Sequence, residues 1–400
     1  MLNNPNNPSH HASHGRIGVF FDEQAFLMQR AGGISRYITC IAEELSKLNA
    51  VEVCIFGGFN HNLHLRNLKK QDHLHIQGHY RTDSLRINSF LTRLSKFWRR
   101  RNFKRFRKQF SYVVYHPTYY EVDEWIATQA DATVVTFHDM IPEWLAAKNP
   151  GGKEEQLPLT KRKASALAAL LLANSESTRQ EIQMAYPDLK HPPIVTLLAT
   201  HLTPGNHSVH LPDSLRGAKF VLMVGNRRGY KNGNSVLKAF GRFAALHPDY
   251  QIVAFGGEPL EAEEEAILKT YSAIDRWHSL RGDDGVLAAC YENAVALVYP
   301  SEYEGFGLPV LEAMSLGCPV ITSPCKSLPE VGGSAVIYLD PGDISGITTA
   351  LENLATNNSL RLQLIAAGKA RSRMFGWKKT AAETLKAYQF ALKKTVNVSV

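Results

Sequence analysis

Residues Tyr299 to Ser323 read YPSEYEGFGLPVLEAMSLGCPVITS. The run AVALVYP (294 to 300) leading into this stretch has the continuous apolar character of a strand buried on both faces. SEYEGFG is a turn-rich loop. LPVLEAMSLG reads as a helix, with Pro309 suited to its first turn and Gly317 to its end. PVITS (319 to 323) is a second buried strand. A strand, loop, helix and strand in this order make a parallel α/β unit, and the loop delivers its backbone to a helix N-terminus. Unpaired N–H groups there attract an anion such as phosphate, and Gly305 and Gly307 let the chain come close. Two acids flank the turn, Glu304 and Glu312. Leu308, Leu311, Glu312 and Ser315 fall at i, i+3, i+4 and i+7, so Glu312 shares a face with apolar neighbours and needs a polar partner there. A sugar hydroxyl is a good partner for a carboxylate, whereas two acids beside a helix start also suit the helix dipole with no ligand.

The same alternation runs outward in both directions. RIGVFF (16 to 21), VEVCIF (51 to 56), YVVYH (112 to 116), ATVVTFHD (132 to 139) and PIVTLL (193 to 198) form one series of short apolar runs. KFVLMVG (219 to 225), YQIVAFGG (250 to 257), RWHSLRG (276 to 282), AVALVYP, PVITS and AVIYL (335 to 339) form a second. Helical patterns between them predict two α/β domains with parallel sheets in series, over 16 to 205 and 218 to 375. A length of 400 residues agrees with two domains. A last helix, WKKTAAETLKAYQFALKK (377 to 394, within a closing segment 376 to 400), places Trp377, Ala381, Leu385 and Tyr388 on one stripe.

Composition narrows the class. Hydrophobic residues at 44% and charged residues at 20% describe a globular chain able to bury large cores. Five scattered cysteines with no Cys-x-x-Cys pair point to a reduced, cytoplasmic setting. Residues 1 to 15 lack the order of a signal peptide and read as a disordered leader, whose His10, His11 and His14 are solvated; no window is apolar enough to span a membrane. The net charge is +8, most of it in the first half. RINSFLTRLSKFWRRRNFKRFRKQF (86 to 110) carries ten Lys/Arg and no acid, with Phe90, Leu94, Phe97, Trp98, Phe103 and Phe106 interleaved. It reads either as a basic amphipathic helix at the anionic inner face of the cell membrane or as a helix packing its aromatics on its own domain. No finger or RNP-type strand supports nucleic-acid binding.

The stretch Glu304-Gly305-Phe306-Gly307-Leu308-Pro309-Val310-Leu311-Glu312 closely resembles the signature of the retaining family 4 glycosyltransferases, in which two Glu residues frame a Gly-Phe-Gly-Leu-Pro turn. Other stretches follow in the family's order, over about residues 16 to 395. FVLMVGNRRGYKN (220 to 232) resembles the opening of its second domain, AGGISRYITCIAEEL (31 to 45) its first glycine loop, and VVTFHDMIPE (134 to 143) the strand end carrying a His. LLANSESTRQEI (171 to 182) resembles a strand followed by a helix capped by Ser175, and FGGE (255 to 258) a stretch near the nucleotide base.

The resemblance implies a GT-B fold: two facing Rossmann-like domains, donor held mainly by the second and acceptor by the first, with the last helix crossing back to the first. It implies that Glu312 holds ribose hydroxyls and Glu304 the transferred sugar. The backbone of Gly305, Phe306, Gly307 and Leu308 meets the diphosphate, aided by Lys231 and by Arg227 or Arg228, since Tyr230 stands where many members have Arg. Asn226 and Gly256 border the nucleotide, Gly32 and Gly33 reach toward phosphate and sugar, and His138 lies beside the sugar. A nucleotide-diphosphate sugar is then the co-substrate, with no metal or other cofactor. The GGISRY and GYKN variants resemble bacterial enzymes that build surface polysaccharide such as lipopolysaccharide, often mannosyltransferases, which favours GDP-mannose over a UDP-sugar and a glycan or lipid-linked oligosaccharide as acceptor. A sugar-nucleotide epimerase shares the fold. A dinucleotide-dependent oxidoreductase expects Gly-x-Gly-x-x-Gly after its first strand, which neither glycine loop provides. A non-catalytic scaffold at the membrane surface is the third alternative.

Overall fold

A computed structural model describes residues 15 to 69, 71 to 80, 89 to 152, 155 to 205 and 211 to 396. The leader, apart from Gly15, and its three histidines therefore lie outside the described residues, as do the ends of the basic segment's and last helix's readings at 86 to 88 and 397 to 400. The chain divides into two units. One comprises Met1–Asn174, Arg179–Thr196 and Trp377–Val400, the other Ser175–Thr178 and Leu197–Gly376.

The first unit contains β1 (Ile17–Phe21), β2 (Val51–Asn60), β3 (Leu74–Tyr80), β4 (Tyr112–His116), β5 (Ala132–Phe137), β6 (Leu170–Ala173) and β7 (Ile194–Val195). They form one parallel sheet in the order β3-β2-β1-β4-β5-β6-β7. β1, β4 and β5 are buried along nearly their whole length, which is why they appear as unbroken apolar runs. β3 was not expected from the sequence. It is an edge strand whose residues mostly keep some exposure, and LHIQGHY lacks the continuous apolar run of the strands buried on both faces.

The second unit contains β8 (Lys219–Val224), β9 (Tyr250–Phe255), β10 (Trp277–Leu280), β11 (Ala296–Tyr299), β12 (Val320–Thr322) and β13 (Ile337–Tyr338). Their order is β10-β9-β8-β11-β12-β13, again all parallel. In both units the chain builds outward from a central strand, then returns to build on its other side. In the second unit that reversal falls between β8 and β11, and ligands of such sheets gather beyond the C-terminal strand ends at a point of this kind.

The Trp377–Val396 helix belongs to the first unit, packing on the Gly33–Ser46 helix and β5. Tyr388 Oη and His116 Nδ1 share a hydrogen bond of 2.7 Å, and His116 Nε2 reaches Thr136 Oγ1 at 2.9 Å. Thr136 Oγ1 also meets Tyr37 Oη at 3.2 Å, so one buried polar chain ties two helices to β4 and β5. The buried stripe is turned from the expected one: Thr380, Ala381, Thr384, Ala387 and Tyr388 face inward, and Leu385 is half-buried. Thr384 lies inward with its hydroxyl satisfied by its own helix, donating to the Thr380 carbonyl at 2.8 Å.

Two aromatics of the Ser89–Arg107 helix pack on its own unit, as the second of its readings has it, whereas Phe97 and Trp98 stay exposed. Phe103 and Phe106 are buried against Phe20, Tyr115 and Trp125. Arg99 donates to Glu23 at 3.2 Å and to Asp123 at 2.8 Å, and Arg100 clamps the same Asp123 at 2.8 Å. Arg107 pairs with Asp131 at 3.1 Å. Three of the ten cations of the basic segment are thus committed to acids of the unit. Among the described residues no helix is long and apolar enough to cross a membrane.

Candidate functional site

In the second unit the loop after β8 and the loop after β11 meet at the sheet's reversal point. The Glu302 amide donates to the Tyr230 carbonyl at 2.8 Å, which fixes one loop on the other. Lys231 reaches from the first loop to the Glu304 carboxylate on the second, and its ammonium also donates to Tyr299 Oη at 3.1 Å. Both charged side chains are largely buried, at 15% and 10% exposure, so the attraction is screened little by water. Burial, with the Glu304 charge beside it, holds the Tyr299 hydroxyl well above its ordinary pKa. Tyr299 therefore acts as a neutral hydrogen-bonding group here.

Glu304 is followed by the turn that starts the Leu308–Ser315 helix. Gly307 adopts φ +99°, and a Cβ there would lie 2.7 Å from Leu328 Cδ2, so both backbone and packing call for glycine. Thr178 Oγ1 donates to the Gly305 carbonyl at 3.1 Å and Ser327 Oγ to the Glu304 carbonyl at 2.8 Å. These bonds satisfy the carbonyls of the turn from within the unit. Pro309 has no N–H and the Val310 and Leu311 amides donate to the Gly307 carbonyl at 3.0 and 3.3 Å, so of the first helical amides it is that of Leu308 that has no partner inside its own helix. Ser175 caps its helix as expected, accepting from the Thr178 amide at 3.0 Å.

Glu312, one turn into the Leu308–Ser315 helix, is buried and accepts a hydrogen bond from Tyr291 Oη at 3.0 Å. The spacing had asked for a polar partner, and Tyr291 is part of the answer. Tyr291 and Tyr299 carried no signal of their own in the sequence: one lies in a different helix, the other ends a strand, and only folding brings their hydroxyls to the two acids.

Arg227 requires a correction. It was one of two candidates to face a diphosphate, but its guanidinium turns inward. Its Nε and Nη2 donate to Glu264 at 2.6 and 2.8 Å, Nη1 to the Glu258 carbonyl at 2.7 Å and Nη2 to the Pro259 carbonyl at 2.9 Å. It also lies over the Trp277 ring at 5.2 Å. It clamps the segment after β9. Arg228, its neighbour, is the more exposed and pairs with Glu261 at 3.0 Å. Asn226 is exposed and accepts from the Arg228 amide at 3.1 Å. Gly256 and Gly257, both at positive φ, lie close to Gly225, so the ends of β8 and β9 adjoin.

In the first unit, Gly32 immediately precedes and Gly33 begins the Gly33–Ser46 helix. Gly32 has φ −174°, extended backbone open to any residue, so its conformation does not explain the glycine. His138, just past β5, is buried; its ring packs edge-on against Tyr37 at 5.4 Å. Burial and the positive charge of Lys161 push its pKa from 6.5 down to about 3, so it is neutral near pH 7. Its carbonyl accepts from Asn174 Nδ2 at 2.7 Å. Tyr37 thus links His138 to the helix that Gly33 begins.

A family model for glycosyl transferases group 1 matches residues 213–371. Among curated proteins, the O-antigen chain mannosyltransferase B of Escherichia coli is 28% identical over 301 residues, covering 73% of this chain and 76% of its own. Among solved structures, the sucrose-phosphate synthase of Thermosynechococcus elongatus aligns with a TM-score of 0.69 at 18% identity over 95% of this chain and 100% of its own. Anabaena HepE, solved with UDP and glucose, aligns with a TM-score of 0.66 at 15% identity over 94% of this chain and 99% of its own.

Proposed function

Since the chain belongs to the group 1 glycosyltransferases, a retaining family (family 4) of GT-B fold, we propose that it moves a hexose, mannose by preference, from a nucleotide-diphosphate sugar to a free or lipid-linked glycan in polysaccharide assembly. The observation that carries this reading is the buried Lys231–Glu304 pair at the start of the Leu308–Ser315 helix. Mannose is favoured by the likeness to the Escherichia coli mannosyltransferase and by the GGISRY and GYKN variants.

The roles follow from what each group offers. The turn at 305 to 308 presents helix-end amides to the diphosphate. Lys231 uses two of its three N–H groups on Glu304 and Tyr299, leaving one for a phosphate oxygen. As the bond from sugar to diphosphate breaks, negative charge grows on the leaving group, and a cation and amides already in position meet it without reorganising. Arg228 is the second cation. Its pair with Glu261 is partly exposed and worth at most about 1 kcal/mol, so releasing it costs little. Glu304, oriented by Lys231, accepts hydroxyls of the transferred sugar, and Glu312, steadied by Tyr291, accepts those of the ribose.

Calorimetric titration with GDP, UDP and dTDP, then the matching sugar donors with NMR of the product anomer, tests the reading. Tightest binding of GDP and a mannoside of retained configuration are expected. Preference for another nucleotide removes the mannose assignment, and epimerised free donor in place of a glycoside removes the transfer.

A further inference from the structure

We propose that the first unit carries a separate site for the phosphorylated end of a lipid carrier, in a cavity between the Ser89–Arg107 helix and the C-terminal halves of β2 and β3. The cavity measures about 630 Å³. Phe56 and Phe59 of β2 and Phe97 and Trp98 of the helix supply its apolar walls, and Arg101 and Arg105 its positive charge. Phe59 packs on Trp98 at 5.8 Å and stacks on His79 at 5.8 Å, so the aromatic wall is held in place.

The charges on the helix are sorted by face. Arg99, Arg100 and Arg107 are spent on Glu23, Asp123 and Asp131. Arg101 and Arg105, four residues apart and hence on one face, form no ion pair among the described residues and line the cavity. Two adjacent guanidiniums fit a phosphate, which each can hold bidentately. Aromatic walls beside them fit an apolar chain. Phe97 is 60% exposed, and covering such a ring contributes about 25 cal/mol per Å² removed from water. A neutral glycan makes no use of the paired cations.

A bilayer is the poorer occupant. It needs a continuous apolar stripe along the helix, but Phe103 and Phe106 face the core and the exposed aromatics border a concavity. A single amphiphile entering the cavity uses both features together. The cavity opens beside the C-terminal ends of parallel strands, the edge where ligands of such sheets collect. This inference rests on the glycosyltransferase reading and selects the lipid-linked acceptor within it.

The test is titration of the full chain with dodecyl phosphate below its micelle concentration, read by tryptophan fluorescence against a Trp98→Phe control. Dodecanol, inorganic phosphate, a neutral mannose oligosaccharide and phosphatidylglycerol vesicles serve as comparison probes. Saturable binding of dodecyl phosphate is expected, weakened roughly tenfold by Arg101→Gln or Arg105→Gln. The same substitutions leave nucleotide binding and transfer to a lipid-free oligosaccharide unchanged. Equal binding of dodecanol, occupancy by the oligosaccharide, vesicle binding without binding of the monomeric amphiphile, or indifference to both arginine changes overturns the proposal. Loss of all transfer in the arginine variants also overturns the proposal, whereas absence of transfer by the unaltered chain to every acceptor sinks the enzymatic reading, so the two failures are separately visible.

Discussion

Lys231 and Glu304 are joined across two loops of the second unit, and the Tyr299 hydroxyl completes the contact on the ammonium. Neither residue neighbours the other in sequence, so the pair exists only because β8 and β11 lie side by side. Glu304→Ala is expected to lower transfer at least a hundredfold yet leave nucleoside diphosphate affinity nearly unchanged. Lys231→Met is expected to weaken diphosphate binding at least tenfold. Calorimetry and a transfer assay on both variants check this; a full-rate Glu304→Ala enzyme removes the assigned role.

Tyr291→Phe deletes the hydroxyl donated to Glu312. With one bond to a buried carboxylate gone, stability is expected to drop by roughly 1 to 3 kcal/mol. Affinity for a nucleoside diphosphate should fall about tenfold while affinity for inorganic pyrophosphate stays the same, because only the former offers ribose hydroxyls. Equal losses for both ligands place Glu312 elsewhere than at the ribose.

Arg227→Ala strands Glu264 as a buried carboxylate without its cation. Breaking such a pair costs about 3 to 5 kcal/mol, so the urea midpoint of the variant is expected to fall sharply. Arg228→Ala, at a partly exposed pair, is expected to shift that midpoint by at most about 1 kcal/mol and to weaken diphosphate binding instead. The opposite ranking reverses the assignment of clamp and ligand.

His116 and His138 give the first unit an acid sensitivity. Burial lowers both from 6.5 to about 3, with the His138 charge adding to the effect at His116 and the Lys161 charge at His138. The unfolded chain protonates them near pH 6.5 while the folded chain keeps them neutral, so it binds more protons below that pH. Their contribution is complete above about 6.5 and is lost as pH falls toward 3, at up to about 1.4 kcal/mol per pH unit for each. Melting curves between pH 7.5 and 5 should show the decline, and His116→Gln should flatten it. An unchanged slope rules out His116 as a contributor.

The arginine pair at 227 and 228 shows why reading residues falls short of reading a site. Sequence placed both on the loop after β8 but held nothing to say which faced inward. Glu264, thirty-seven residues away, decides it by meeting the guanidinium of Arg227 at two points. The basic helix is similar: its composition was plain, but Asp123 and Glu23 take Arg99 out of the surface charge.

By itself, the sequence determined the two α/β units, the strands buried on both faces and the helix start that follows Gly307. Each of these depends on local pattern, whether a continuous apolar run, a turn glycine or a proline in a first turn. Only the tertiary structure decided the edge strand β3, the inward turn of Arg227, the tyrosines on Glu304 and Glu312, and the cavity under Arg101 and Arg105. Those depend on partners distant along the chain, and a hydrogen bond or ion pair acts over a few ångströms of space regardless of how many residues separate its ends.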